Sequence, residues 1–178
     1  MNLPLLPSMR SSVIRIALAA CVVLLAAACN SKQGGLQDAN GPKEARQLLE
    51  LKQQEAANVA HVRKCLGLVF TQRNMAQAKA ECFGGVYIQH NPTIASGLDA
   101  MVAKVGKMLE DNPQMSFDIK RVGADHDLVW VHSHARFTPD STGLALVDIF
   151  RLEDTKIVEH WDVIQPVPAA SLNENSMF

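Results

Sequence analysis

GLALVDIFRLEDTKIVEHWDVIQ, residues 143–165, reads as two strands joined by a tight turn. Residues 143–152 and 156–165 are rich in β-branched and aromatic side chains, with a polar run between them. With Asp154 and Thr155 as the two loop residues, Glu153 pairs with Lys156. Counting outward puts Phe150 opposite Glu159 and Asp148 opposite Trp161, and directly opposed residues share a face. On this register Leu146, Asp148, Phe150 and Trp161 line one side, while Val147, Ile149, Val158, His160 and Asp162 line the other. A slip of one residue would exchange the two sets on the second strand.

Working outward, residues 128–137 and 115–122 read as two more long strands, and residues 86–90 as a short one stopped by Asn91-Pro92. In residues 128–137, Trp130, His132, His134 and Arg136 share one face, and Val129, Val131, Ser133 and Ala135 the other. Three helices precede the run of strands. The first covers residues 42–70, with Val59, Val62, Leu66, Val69 and Phe70 at helical spacing. The second covers residues 75–83, and Gly84-Gly85 follows it. The third opens at Ser96, with Asp99 as its capping-box partner, and carries Leu98, Met101, Val102, Val105 and Leu109 as its apolar stripe. Helices first and hairpins afterwards define an α+β fold with three N-terminal helices packed on a curved, mainly antiparallel sheet. Such a sheet wrapped over helices leaves a cavity for a ligand.

The N-terminal part has a different character. Arg10 and Arg15 precede an apolar run, and Ala26-Ala27-Ala28 ends it just before Cys29. This is the layout of a secretory signal peptide, assigned to residues 1–28. The run falls short of the ~20 apolar residues a membrane span needs. Leu25-Ala26-Ala27-Ala28-Cys29 resembles the lipobox of bacterial lipoproteins, which implies acylation of Cys29; Asn30 after it implies sorting to the outer membrane. Residues 29–42 read as a flexible tether, residues 43–168 as the domain, and residues 169–178 as a loose tail. The expected location is the periplasmic side of the cell envelope, with a lipid anchor in the membrane. In that oxidising space Cys65 and Cys82 are a candidate disulfide, with two buried thiols as the other reading.

The 178 residues are 48% hydrophobic and 20% charged, with a formal net charge of −1. That balance fits one globular domain plus an apolar leader, and it offers no polyanion-binding surface, so nucleic acid is not an expected partner. No G-x-G-x-x-G, P-loop or G-x-S-x-G pattern is present, and no cofactor is expected. His132 and His134, with Asp148 and His90, form only a weak zinc-type pattern, and no metal site is assigned. Asp148, set among Leu146, Phe150 and Trp161, would be poorly solvated, as suits a proton-transfer group. The alternative is a structural carboxylate with histidines lining a sheet face.

Three blocks, YIQHNP at 87–92, VDIFR at 147–151 and KIVEHWDV at 156–163, resemble the SnoaL-like family of the nuclear-transport-factor-2-like superfamily, which includes ketosteroid isomerase. The resemblance implies a cone-shaped α+β barrel and an acid/base pocket of the kind that closes rings by aldol chemistry. It implies Asp148 as the catalytic aspartate and His134 as its helper. His132, Trp130 and Trp161 are then expected along the substrate wall, and His90 at the pocket mouth. The export signal departs from the cytoplasmic setting of polyketide cyclases, so polyketides are not carried over as substrates. The expected function is proton transfer on a small carbonyl-containing or apolar molecule, with non-catalytic ligand binding in the envelope as the alternative. A homodimer is expected through the apolar outward set Val147, Ile149, Val158 and His160.

Overall fold

The helix that opens the domain, α1 (Gly41–Leu66), runs on through a π-helical turn at Gly67–Thr71 in the computed structural model, which describes residues 41–178. The signal peptide, Cys29 and the tether up to residue 40 lie outside the described residues. The wider turn is closed by the Gln72 N–H on the Gly67 carbonyl at 2.9 Å. It inserts one residue into the helical period, so neighbouring Leu68 and Val69 are both buried. Arg73 then takes a left-handed φ of 52°, and Asn74 caps the next helix, its Oδ1 accepting from Gln77 N at 3.0 Å. That helix, α2 (Met75–Cys82), leads directly into β1 (Phe83–Gln89). Cys65 and Cys82 are joined as a disulfide, with their Cα atoms 5.7 Å apart, tying α1 to the end of α2.

The third helix, α3 (Leu98–Asp111), starts one residue later than a Ser96 cap implies. Gly97, at φ 100°, turns the chain into the helix and makes no side-chain cap bond. Asp99 instead pairs with Lys79 of α2 at 2.6 Å. The far end of α3 is held by Arg73, whose guanidinium donates to the carbonyls of Leu109, Asn112 and Met115 at 2.8, 3.3 and 3.1 Å. A cation on the last carbonyls of a helix also complements its dipole.

Strands β2 (Ser116–Asp125), β3 (Leu128–Arg136), β4 (Leu144–Glu153) and β5 (Lys156–Pro166) follow as hairpins. The sheet order is β1-β5-β4-β3-β2, antiparallel except for the parallel β1–β5 pair. The helices pack on one face of this curved, unclosed sheet, as the sequence leads one to expect. Val62, Leu68, Met101, Val129, Val131 and Ile157 form the centre of the core, and Phe70 stacks on Phe117 with ring centroids 4.1 Å apart. The tip of the β2–β3 hairpin is pinned by α1: Glu55 Oε1 accepts from His126 N at 3.1 Å, and Asn58 Nδ2 donates to His126 O at 3.3 Å.

The β4–β5 turn is as read from the sequence: Glu153 pairs with Lys156, and Asp154 and Thr155 take φ values of 48° and 60°. The ladder beyond it is not. Arg151 pairs with Glu159 but Leu152 with Ile157, which leaves Val158 as an extra residue on β5. Ile157 and Val158 are both buried at this bulge. Every later pair is therefore shifted by one: Phe150 faces His160, Ile149 faces Trp161 and Asp148 faces Asp162. The expected Asp148–Trp161 pairing is overturned, and His160 and Asp162 move to the face that carries Asp148.

Candidate functional site

A cavity of about 270 Å³ lies between the helices and the inner face of the sheet. Its wall is mostly apolar, with Phe70, Met101, Met108, Phe117, Leu146 and Phe150 among the contributors. One polar cluster faces it, made of Tyr87, Gln89, Asn91, Asp148, His160 and Asp162.

Strand geometry explains the cluster. Tyr87 and Gln89 alternate inward along β1, while Val86, Ile88 and His90 are exposed on the other side. Asn91, just past the strand, is also buried. Asp148 on β4 pairs with Val131 of β3, whose side chain is in the core, so Asp148 points inward too. The bulge at Val158 turns His160 and Asp162 to the same side.

These groups are linked by hydrogen bonds. His160 Nε2 lies 3.1 Å from Asp148 Oδ1, and His160 Nδ1 lies 3.0 Å from Gln89 Oε1. Gln89 Oε1 also accepts from Asn91 N at 2.9 Å, and Gln89 Nε2 donates to the Tyr87 hydroxyl at 3.1 Å. Asn91 Nδ2 donates to Asp162 Oδ2 at 2.6 Å, while Asn91 Oδ1 accepts from Thr93 N and Thr93 Oγ1 at 2.8 and 2.7 Å. The Asn91-Pro92 stop is thus an Asx-type turn that also orients a cavity carboxylate. Asp148 Oδ2 is buried and has no hydrogen-bond partner among the described residues. Burial, followed by the charges of Asp148 and Asp162, pushes the Tyr87 phenol far above its ordinary range, so it stays protonated and serves as a donor. Asp148, His160 and Asp162 also bring metal-type donor atoms within 4.8 Å of one another, which makes them the cavity residues able to hold a cation.

Of the catalytic and substrate-wall residues assigned from the sequence, Asp148 alone lines the cavity. His134 and His132 alternate with Val131 and Ser133 and so face outward on β3. His134 Nε2 is 2.8 Å from the Thr142 carbonyl, and its ring stacks on Phe178 at 4.2 Å. His132 Nδ1 accepts from Arg121 Nη1 at 3.0 Å. Trp130 is exposed on the same face, across the ladder from Gly123. Trp161 and His90 stack on each other at 4.7 Å on that outer face, and His90 Nε2 contacts Glu159 Oε1 at 2.9 Å. The ligand set considered for zinc is therefore split between the two sides of the sheet. Residues 169–178 form no helix or strand, yet the terminal Phe178 ring packs on His132 and His134. Sequence reasoning missed His160, Asp162, Tyr87, Gln89 and Asn91. Alternation along YIQHN could have shown the inward set Tyr87, Gln89 and Asn91; the bulge concealed the other two.

This architecture, helices packed on a curved five-stranded sheet, is found in a known family. Residues 62–160 match the SnoaL-like domain, and the chain belongs to that family. Solved structures of similar fold include a candidate ketosteroid isomerase from Kribbella flavida, with a TM-score of 0.55 and 13% identity over 70% of this chain and 89% of that one. AclR from Streptomyces galilaeus, a candidate hydroxylase, gives a TM-score of 0.55 and 19% identity over 64% and 82%. A candidate SnoaL-like polyketide cyclase from Jannaschia sp. CCS1 gives 0.50 and 18% over 62% and 86%. At these identities the likeness is one of fold. No curated protein matches the sequence.

Proposed function

We propose that this chain binds a small, largely apolar molecule bearing a carbonyl group and moves a proton on it. The observation that carries the reading is the buried Asp148–His160 contact of 3.1 Å at the polar end of an apolar cavity. In the reaction, the Asp148 carboxylate accepts a proton from the carbon next to the carbonyl. The C–H electron pair moves into the new C=C bond, and the carbonyl oxygen gains charge. The Tyr87 hydroxyl donates to that oxygen, and His160 holds and balances the carboxylate. Return of the proton at another carbon completes an isomerisation; attack of the enolate carbon on a second carbonyl, with the proton on Asp148 passed to the alkoxide oxygen that forms, completes an aldol closure. Asp148 Oδ2, the oxygen without a partner among the described residues, is the acceptor left for the substrate. General acid–base help of this kind is worth ~10²–10⁴-fold.

The test is deuterium exchange into a bound ketone, read by mass spectrometry. Asp148→Asn should abolish exchange and keep ligand affinity nearly intact. Equal exchange in both proteins would remove Asp148 from the chemistry. Binding without exchange in either would favour the second reading, a non-catalytic binder, which the mainly apolar lining of the cavity also supports.

The proposed setting is the periplasmic side of the envelope, with Cys29 acylated and anchored in the outer membrane. The Cys65–Cys82 bridge supports an oxidising compartment. Mass spectrometry of the mature N-terminus from the native host decides the anchor, and an unmodified Cys29 would end it. Thiol counting on exported protein should find Cys65 and Cys82 unreactive. A homodimer is proposed through the outer face of the sheet, where Val86 and Val163 are 70% and 67% exposed. The bulge changes its membership: His160 and Val158 are buried, and Trp161 and Val163 take their places. A monomer mass by light scattering at micromolar concentration would count against it.

A further inference from the structure

The side-chain amide of Gln89 has one possible orientation. The backbone N–H of Asn91 is a fixed donor and lies 2.9 Å from Oε1. Exchanging the amide oxygen and nitrogen would set two donors against each other in a buried place, a loss that nothing nearby offsets. Oε1 therefore also accepts from its second neighbour, His160 Nδ1, at 3.0 Å. That ring nitrogen must carry a hydrogen. In a neutral imidazole the other nitrogen is then bare, and it is the one that faces Asp148 Oδ1 at 3.1 Å. Two lone pairs at that distance repel, so one proton lies between them, bonded either to the aspartate oxygen or to the ring.

We propose that Gln89 is a positioning residue that fixes the His160 tautomer, and thereby makes Asp148 and His160 a pair holding one proton between them. Gln89 acts on Tyr87 as well. Its Nε2 donates to the Tyr87 oxygen, so the Tyr87 hydrogen points elsewhere and is offered as a donor. The polar end of the cavity thus presents a donor at Tyr87 and a single mobile proton at the pair, which fits a ligand whose oxygen is an acceptor, such as a ketone or aldehyde. Besides the pair, the charged residues lining the cavity are Asp162, held by Asn91, and Lys104 on α3. The consequence for catalysis rests on the proton-transfer reading above; the position of the proton does not.

The experiment is long-range ¹H–¹⁵N NMR of the histidine rings in the ¹⁵N-labelled mature chain, with His160→Asn identifying the His160 signals by their loss. In the wild type, His160 Nδ1 should be protonated. Gln89→Glu keeps the acceptor and adds a negative charge; it should leave Nδ1 protonated and bring Nε2 to the protonated type, as in an imidazolium. Gln89→Leu removes the acceptor, and a tautomer with hydrogen on Nε2 should appear. A bare Nδ1 in the wild type would overturn the proposal. So would ring signals unchanged in a folded Gln89→Leu protein. If Gln89→Leu does not fold, the wild type and Gln89→Glu still decide. The tautomer behaving as stated, with no ketone exchange in any protein, would keep the role of Gln89 and sink the proton-transfer reading.

Discussion

His132 and His134 stand two residues apart on one strand and face away from the cavity, while Asp148 and His160, twelve residues apart, meet inside it. The two faces of the sheet carry similar side chains in different surroundings. On the outer face, Trp161, His90, Glu159 and Arg151 form a stacked and ion-paired surface that solvent reaches. On the inner face, His160 and Asp148 are buried and Asp162 is half-buried, and amides hold two of the three, Gln89 for His160 and Asn91 for Asp162. Residue type alone does not make a site. Desolvation and a fixed set of neighbours separate the inner histidine from the outer ones.

The sharpest way to break this contrast is to treat matching histidines alike. His160→Asn should lower ketone exchange by ~10²–10⁴-fold, the usual reach of acid–base catalysis. His134→Asn and His132→Asn should leave it near the wild-type rate. A comparable loss in the His134 variant would move the chemistry back to the outer face and overturn the assignment made here.

Stability should divide the same way. Ile157 is 2% exposed on the inner side of β5, while Val163 lies on the outer face. Ile157→Ala should cost ~2–5 kcal/mol in urea unfolding, since it removes buried methylenes and leaves a cavity. Val163→Ala should change stability by ~0.5 kcal/mol or less. If the outer face is covered in a dimer, the Val163 cost should grow with protein concentration. Equal costs for the two residues in a monomer would contradict the assignment of faces.

Much of this contrast is legible in the sequence, and the exception has one cause. On β3 the alternation is unbroken, so Val129, Val131, Ser133 and Ala135 can be set against Trp130, His132 and His134 by counting. The turn at Asp154-Thr155 is legible because only two residues separate the two runs. Past the turn, the count fails at Val158. The adjacent apolar pair Ile157-Val158 is the only trace of the bulge in the sequence, and a buried continuous run gives the same pattern. That single residue moves Trp161 out of the cavity and His160 and Asp162 into it. The family resemblance implies His134 as helper, although its strand neighbours Ser133 and Ala135 occupy the buried face. In the helices, the apolar stripes are legible, but the π turn and the Gly97 entry are not, because both depend on backbone geometry more than on side-chain pattern.

The smallest expected effect belongs to the outer face and concerns pH. Glu159 is held below its ordinary value of 4.5, first by the hydrogen bond from Arg151 and then by His90, with burial opposing both. Arg151 Nε reaches Glu159 Oε2 at 2.7 Å, and Arg151 Nη1 reaches Glu153 Oε1 at 2.6 Å. A carboxylate with a depressed folded-state pKa adds stability that is fully present above its unfolded value. That stability is lost as pH falls through the folded value, where the proton displaces the Arg151 contact. The pair is partly open to water, so its contribution is about 1 kcal/mol or less. Glu159→Gln should therefore be less stable than the wild type near pH 7, with the gap constant above the ordinary carboxylate value of 4.5 and closing as pH falls below it. Measuring both proteins in a His90→Gln background keeps protonation of the imidazole out of the profile. Urea unfolding at a series of pH values reads the gap directly. A difference that stays the same down to pH 3 would show that Glu159 stabilises the face by packing alone, and the ion-paired account of the outer surface would fail with it.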